Sequence, residues 1–485
     1  MDGNTLLDLG YPAGKAIGLA LEATNSARAA GAAEDDIRRD LVDILRAPED
    51  YADHPVYGTL AAALVMEAQH PARTHYDLNT SAPYRVWGAD GIEAGALDQM
   101  KRAVRLPVSI RGALMPDAHQ GYGLPIGGVL ATDNSVIPYA VGVDIACRMR
   151  MTVFNASPHI LDQKRERFRA VLEEQTRFGP GSHWETPREH EVLDDPLWHE
   201  HPAARRHKDV AWQQLGTSGS GNHFVEFGAL HVHSTIDSPQ GTIPPGTYLA
   251  VLSHSGSRRF GLEMANHYTQ VAMQRHPQLP KDFKHLAWLY LHEDSGQEYW
   301  LAMTLAGRYA SANHAVIHRQ IVDALRTPVL GGIENHHNYA WKETVDGQEA
   351  IVHRKGATPA GEGVLGVIPG SMSAPGFVVR GLGNAESLSS AAHGAGRRMS
   401  RKQAFQTFEW EHVQRKLKEQ GIELISAGLD EAPGAYKDIH KVMADQADLV
   451  VALAEFKPKL VKMDAGKKPR YRSKGKGKKG KGRRR

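Results

Sequence analysis

The stretch VGVDIACRMRM, residues 141–151, holds Cys147, the only cysteine among 485 residues. It stands three positions after Asp144, inside an otherwise apolar run. A lone thiol of this kind has two readings. It is a small buried hydrophobe, or it forms with Asp144 a mixed sulfur and oxygen ligand pair for a cation. The second reading requires a fold that carries other ligands to the same place from distant parts of the chain.

The surrounding sequence has the texture of such a fold. From about Tyr84 onward, short β-prone runs end in polar, glycine-rich loops: TYLAVL runs into SHSGSRR, VLGVI into PGSMSAPG, and PVLGGI into ENHHNYAW, while GFVVRG follows directly. Strands whose ends present a site read this way. Helical patterns lie between them, over 261–275 and 294–326. The first 82 residues read differently. DDIRRDLVDILRA puts Ile37, Leu41, Ile44 and Leu45 on one helical face, with Asp35 and Asp36 at the positive end of the dipole. YGTLAAALVMEAQ reads as a further helix, and this unit carries no cluster of reactive residues.

Composition sets bounds. Hydrophobic residues make up 41% of the chain, enough for a sizeable core. No apolar run approaches the roughly 18 residues of a membrane span. One cysteine allows no internal disulfide, and the acidic N-terminus lacks a signal-peptide pattern, so the expected compartment is the cytoplasm. The net charge of +3 conceals an asymmetry: residues 467–485 carry twelve Lys or Arg and no acid, leaving the rest at −9. A Gly/Lys/Arg tail cannot bury apolar surface and is expected to be disordered; its natural partner is a polyanion such as nucleic acid. The plainer alternative is a solubilising tail.

Five loops pair histidine or cysteine with small or polar neighbours: VDIAC (Asp144, Cys147), GTSGSGNHFVEFG (Asn222, His223, Glu226), LSHSGSR (His254, Arg258), ENHHNYA (His336, His337, Asn338) and AAHGAGRRMSR (His393, Arg397, Arg401). A sixth, IPGSMSAPG, has no titratable group but several flexible backbone N–H donors. Thiolate, carboxylate and imidazole together suit Mn²⁺ or Zn²⁺. No HExxH or CxxC is present, and each histidine alone is as readily a hydrogen-bonded filler. The chain has no GxxxxGK[ST], which argues against a P-loop ATPase. SGSGNH, PGSMS and HGAGR remain as loops able to cradle phosphate, with Arg258, Arg397 and Arg401 as further contacts. A histidine in HGAG is uncrowded and able to attack phosphorus. KMDAG, from Lys462, only approximates the KxDG of lysine-nucleotide ligases.

In this order, the loops resemble the RtcB family of RNA ligases. The matching text is MPDAHQGYGLPIGGVLAT, AVGVDIACRM, GTSGSGNHFVEFG, LSHSGSR, NHHNYAWKE, RKGATPA, IPGSMSAPGFVVRGLGN, SAAHGAGRRMSR and EAPGAYKDI. The resemblance implies an α+β fold with central β-sheets flanked by helices over 83–463, a helical extension over 1–82 and a disordered basic tail over 464–485. It implies an enzyme joining RNA 3′-phosphate or 2′,3′-cyclic phosphate ends to 5′-hydroxyl ends with GTP and two Mn²⁺ ions. Asp144, Cys147 and His223 would bind one ion; Cys147, His254 and His337 would bind the other. His393 would be guanylylated. Asn222, His223, Phe224, Val225, Glu226, His337, Asn338, Pro369, Gly370, Ser371, Met372, Gly376, His393, Gly394, Ala395, Gly396 and Lys462 would surround the nucleotide. Some members of the family work with an accessory activating protein.

The sequence departs from the family pattern at Ala146 and Arg148, where glycines flank the cysteine, at Arg259 for glycine, and at Gly376 for serine. These departures keep open a second reading, a metal-dependent enzyme that caps or hydrolyses phosphate ends without joining them. A non-enzymatic RNA-binding role for the tail and the helical unit is a third. Asp117 and His119 in MPDAHQG have two readings, contact with the RNA end or bracing of the sheet, of which bracing is slightly favoured.

Overall fold

The computed structural model describes residues 2–11, 15–69 and 76–466. The basic segment from 467 onward lies outside the described residues.

Four helices open the chain: Gly3–Asp8, Lys15–Ala29, Glu34–Arg46 and Gly58–Gln69. Ile37, Leu41 and Ile44 point inward from the third, as their spacing predicts. They meet Leu6, Ala20 and Leu60 in an apolar cluster of the unit's own, with Leu45 at its margin.

Two sheets make up the rest of the framework. The smaller has five strands, among them Ser109–His119, Ile126–Thr132 and the hairpin Asn338–Val345/Gln348–Lys355. The larger has eight. Its path runs Val329–His336, Arg148–Phe154, Gly246–Ser255, Phe224–Val232, Val450–Met463, Gly376–Gly381 and Leu365–Ile368, with Glu423–Ser426 alongside Val450–Met463. The β-prone runs of the sequence are therefore strands, and the helical patterns appear as Arg258–Arg275 and Asp294–Leu325.

The larger sheet curls until its two edges almost meet. Asn335 on one edge strand accepts from the Val367 N–H at 2.9 Å and donates from Nδ2 to the Val367 carbonyl at 3.4 Å on the other. The side chain stands in for the missing ladder. Side chains alternate across this curved wall. Met149, Met151, Leu230, Leu252 and Phe456 pack inside it, while Phe154, Phe227, Val251 and Leu460 pack outside, with Ile317 of the long helix among them.

Candidate active site

The loops converge at one end of the curled sheet because neighbouring strands end there in register. Arg148 pairs with Ser255, and Met149 and Phe224 both pair with His254. Cys147 precedes one strand, His223 precedes the next, and His337 links two others. Strands lie about 5 Å apart, so side chains at these ends must touch. Cys147 Sγ is 3.4 Å from His223 Nε2 and 3.0 Å from His254 Nε2. Asp144 Oδ2 is 2.8 Å from His223 Nε2, and His337 Nε2 is 3.1 Å from His254 Nε2.

The packing leaves little freedom. A Cβ on Gly256 would fall 2.2 Å from Asp144 Oδ1, and one on Gly219 would fall 2.3 Å from His223 Nδ1. Ala146 takes a left-handed conformation, φ +55°, and its N–H reaches the Asn338 carbonyl at 2.6 Å. That conformation explains why glycine suits this position; alanine holds it at a cost of roughly 1–2 kcal/mol.

The donor set fits a cation. Asp144 Oδ2, Cys147 Sγ and the Nε2 atoms of His223, His254 and His337 face one another, and the Cys147, His223 and His254 donors lie within 4.8 Å of each other. The Asn222 carbonyl accepts from His254 Nδ1 at 3.1 Å, which leaves the Nε2 lone pair directed at the thiol. Burial drives His254 down to about 3 and holds His337 well below the ordinary imidazole value, so both rings are neutral donors. Burial and the Asp144 carboxylate raise the Cys147 thiol; a divalent ion would reverse that preference.

His337 also connects this cluster to a second centre, with its ring centroid 4.9 Å from that of His393. The buried carboxylate of Asp117 accepts from His393 Nδ1 at 2.7 Å and from the His393 backbone N–H at 3.2 Å. The ring is thereby fixed with its proton on Nδ1 and a lone pair on Nε2. Asp117 is thus no mere brace of the sheet. Its carboxylate holds the histidine of HGAG, although its backbone carbonyl also accepts a His119 ring contact at 3.2 Å. Gly356 stands against the same ring: a Cβ there would be 3.1 Å from His393 Cε1.

Both centres open into one cavity of about 830 Å³. Asp144, Cys147, Asn222, Phe224, Glu226, His254, His337, Asn338, Pro369 to Met372 and His393 to Gly396 line it. His223 touches the Asp144 and Cys147 that form its wall. Burial raises the Glu226 carboxyl to about 8 and lowers the Lys355 amine to about 7. Arg397 and Arg401 stand on the rim, tied to the buried Glu431 at 3.4 and 2.5 Å.

Three expected nucleotide contacts lie elsewhere. Val225 points outward into the apolar layer with Phe168 and Phe227, since only alternate residues of its strand face the cavity. Lys462 is its register partner and shares its direction. The Lys462 amine donates to the carbonyls of Leu172, Glu173 and Thr176, while Val461 and Met463 on either side line the cavity. Gly376 opens a strand behind Pro369 without reaching the cavity wall. The substituted arginines also point away. Arg148 is 7% exposed and pairs with Glu334 at 2.7 Å on the outer face, and Arg259 pairs with Glu263 at 2.9 Å on its helix. His336 packs against Tyr339 and Trp341. Sequence reading left Asp117 between the RNA end and the sheet and did not single out Lys355, which closes the β-prone stretch AIVHRK just before Gly356.

A family model described as "tRNA-splicing ligase RtcB" matches residues 99–201 and 191–464. A protein named RNA-splicing ligase RtcB from Escherichia coli is 33% identical over 412 residues, covering 78% of this chain and 96% of its own. The tRNA-splicing ligase RtcB of Nanoarchaeum equitans is 32% identical over 461 residues, covering 78% and 94%. The RNA-splicing ligase RtcB of Mycobacterium tuberculosis is 32% identical over 429 residues, covering 74% and 98%. With matches of this extent running through both the donor cluster and the histidine it adjoins, the chain belongs to the RtcB family.

Proposed function

We propose that this protein is a GTP-dependent RNA ligase that joins 3′-phosphate or 2′,3′-cyclic phosphate ends to 5′-hydroxyl ends. The observation that carries the reading is His393, held by Asp117 with its Nε2 lone pair free, between a nucleotide-sized cavity and a five-donor cluster. In the first step Nε2 attacks the α-phosphorus of GTP. A nitrogen–phosphorus bond forms and pyrophosphate leaves. An RNA 3′-phosphate oxygen, freed by water if the end is cyclic, then takes the GMP and releases His393. Last, the 5′-hydroxyl attacks the activated 3′-phosphorus, loses its proton, and GMP departs.

Glu226 and Phe224 line the cavity, and the Glu226 carboxyl can accept from the N1–H and the exocyclic amine of guanine, a pairing that favours its ionised form. The backbone N–H groups of Gly370, Ser371 and Met372, with those of Gly394 and Gly396, suit the phosphates. Asp144, Cys147, His223, His254 and His337 would hold divalent ions, with Mn²⁺ the favoured species, and such ions supply Lewis-acid stabilisation of phosphoryl oxygens. Arg397 and Arg401, kept at the rim by Glu431, suit the incoming terminal phosphate. The capping alternative drew on Arg148, Arg259 and Gly376, and none of the three lines the cavity, which favours joining.

Incubation of the protein with α-labelled GTP across Mn²⁺, Mg²⁺ and Zn²⁺ tests this. The expected outcome is an acid-labile adduct with Mn²⁺ that His393→Ala abolishes, and a joined product when both RNA ends are supplied. An adduct that survives His393→Ala, or capped ends that never join, would sink the reading.

A further inference from the structure

The cavity lining also includes an aromatic side chain that the chemistry above leaves unused. Tyr122 is 68% exposed, the most exposed large apolar side chain among the described residues. Of the other such side chains, only Val143, at 42%, also lines the cavity. A flat ring exposed beside a substrate cavity is available to a ligand that stacks on it.

The ring is not on a loose loop. The Gln120 N–H donates to Glu93 Oε1 at 2.5 Å. Gly121 is held by Gln99 on both sides, N–H to Oε1 at 3.0 Å and carbonyl from Nε2 at 2.6 Å. The Lys355 amine donates to the Tyr122 carbonyl. Gly123 is left-handed, φ +68°, and a Cβ there would fall 2.6 Å from the His285 carbonyl. The Tyr122 ring meets the His285 imidazole at 83° and 5.8 Å, and Tyr139 lies on that imidazole at 5.1 Å. Backbone and ring are therefore held in place before any ligand arrives, while most of the ring surface stays in solvent. An aromatic surface fixed in advance loses little entropy when a second flat ring lies on it.

We propose that Tyr122 is the stacking platform for the terminal nucleobase of an RNA strand entering the cavity. The proposal rests on the ligase reading for its substrate class. Every phosphate brought to His393 in RNA comes with a base, and base–aromatic stacking serves any of the four. The platform fixes the end of the strand without reading its sequence. The ligand chemistry is the nucleobase of the end nucleotide itself, on either the 3′-phosphate or the 5′-hydroxyl strand.

The test is binding by the full-length protein and its Tyr122→Ala and Tyr122→Trp variants. The probes are short single-stranded RNAs ending in a 3′-phosphate or a 5′-hydroxyl, each with a normal or an abasic terminal nucleotide. Anisotropy is read without GTP and at elevated salt, which weakens phosphate contacts more than stacking. For one of the two ends, Tyr122→Ala is expected to weaken binding about tenfold or more, with Tyr122→Trp retaining it. The abasic version of that end weakens the native protein by a similar factor and costs the alanine variant nothing further. Equal binding by native and alanine proteins, or the same abasic penalty in both, overturns the proposal. So does a loss of labelled-GTP adduct in Tyr122→Ala, which would put guanine on the ring. Absence of any adduct or joining by the native protein would defeat the ligase reading while the binding comparison still decides the stacking.

Discussion

At the scale of single residues, Asp117 sets which nitrogen of His393 carries the ring proton and which keeps its lone pair. An asparagine can turn its amide N–H toward Nδ1, and the ring proton then moves to Nε2. Asp117→Asn should therefore slow adduct formation by about 10²–10⁴-fold while leaving the thermal midpoint within a few degrees. Single-turnover labelling alongside a melting curve checks both. Glu226 gives a pH signature. Its folded value, about 8, lies above its ordinary 4.5. The folded chain thus holds more protons than the unfolded chain between those values, and stability falls as pH rises through that window. The slope approaches 1.4 kcal/mol per pH unit at most. Glu226→Gln should flatten it, as urea melts from pH 5 to 8 would show. Cys147 and the four histidine loops were legible in the sequence because reactive residues stood among glycines and serines. Asp117 was not: a carboxylate inside a β-prone run has no local mark of what it will face across the fold.

At the scale of elements, the strands and long helices were readable from their residue types, but the direction of individual side chains was not. Lys462 illustrates the reason. Ala454 and Phe456 point inward on the last strand, so strict alternation would bring residue 462 inward too. A bulge between Pro458 and Leu460 changes the phase, and the inward positions become Val461 and Met463. One extra residue in a ladder has no signature in a single sequence. The near-closure of the large sheet was likewise invisible, since it depends on one amide, Asn335, meeting a strand about thirty residues away. Asn335→Ala leaves the Val367 N–H and carbonyl buried and unpaired. The expected cost is about 1–3 kcal/mol, read as a lower denaturation midpoint with little change in the slope of the transition.

At the scale of the whole molecule, charge is divided between an acidic body and the basic segment 467–485. A chain ending at residue 466 should still form the labelled adduct. Its affinity for long RNA should drop, and the dependence of binding on salt should become shallower, because each lost phosphate contact removes about one unit from the log–log slope. A salt titration of the two proteins measures this. The four N-terminal helices keep an apolar cluster to themselves, so the catalytic framework does not depend on them for its core.

His337 belongs to both halves of the site, 3.1 Å from His254 Nε2 and ring to ring with His393. Whatever occupies the donor cluster fixes this imidazole, and its fixed position bears on the neighbouring His393 ring. Under the proposed function this sharing links the ion and the nucleotide thermodynamically: if the ion strengthens nucleotide binding by some factor, the nucleotide strengthens ion binding by the same factor. Order of addition then changes the rate of assembly and leaves the final complex the same.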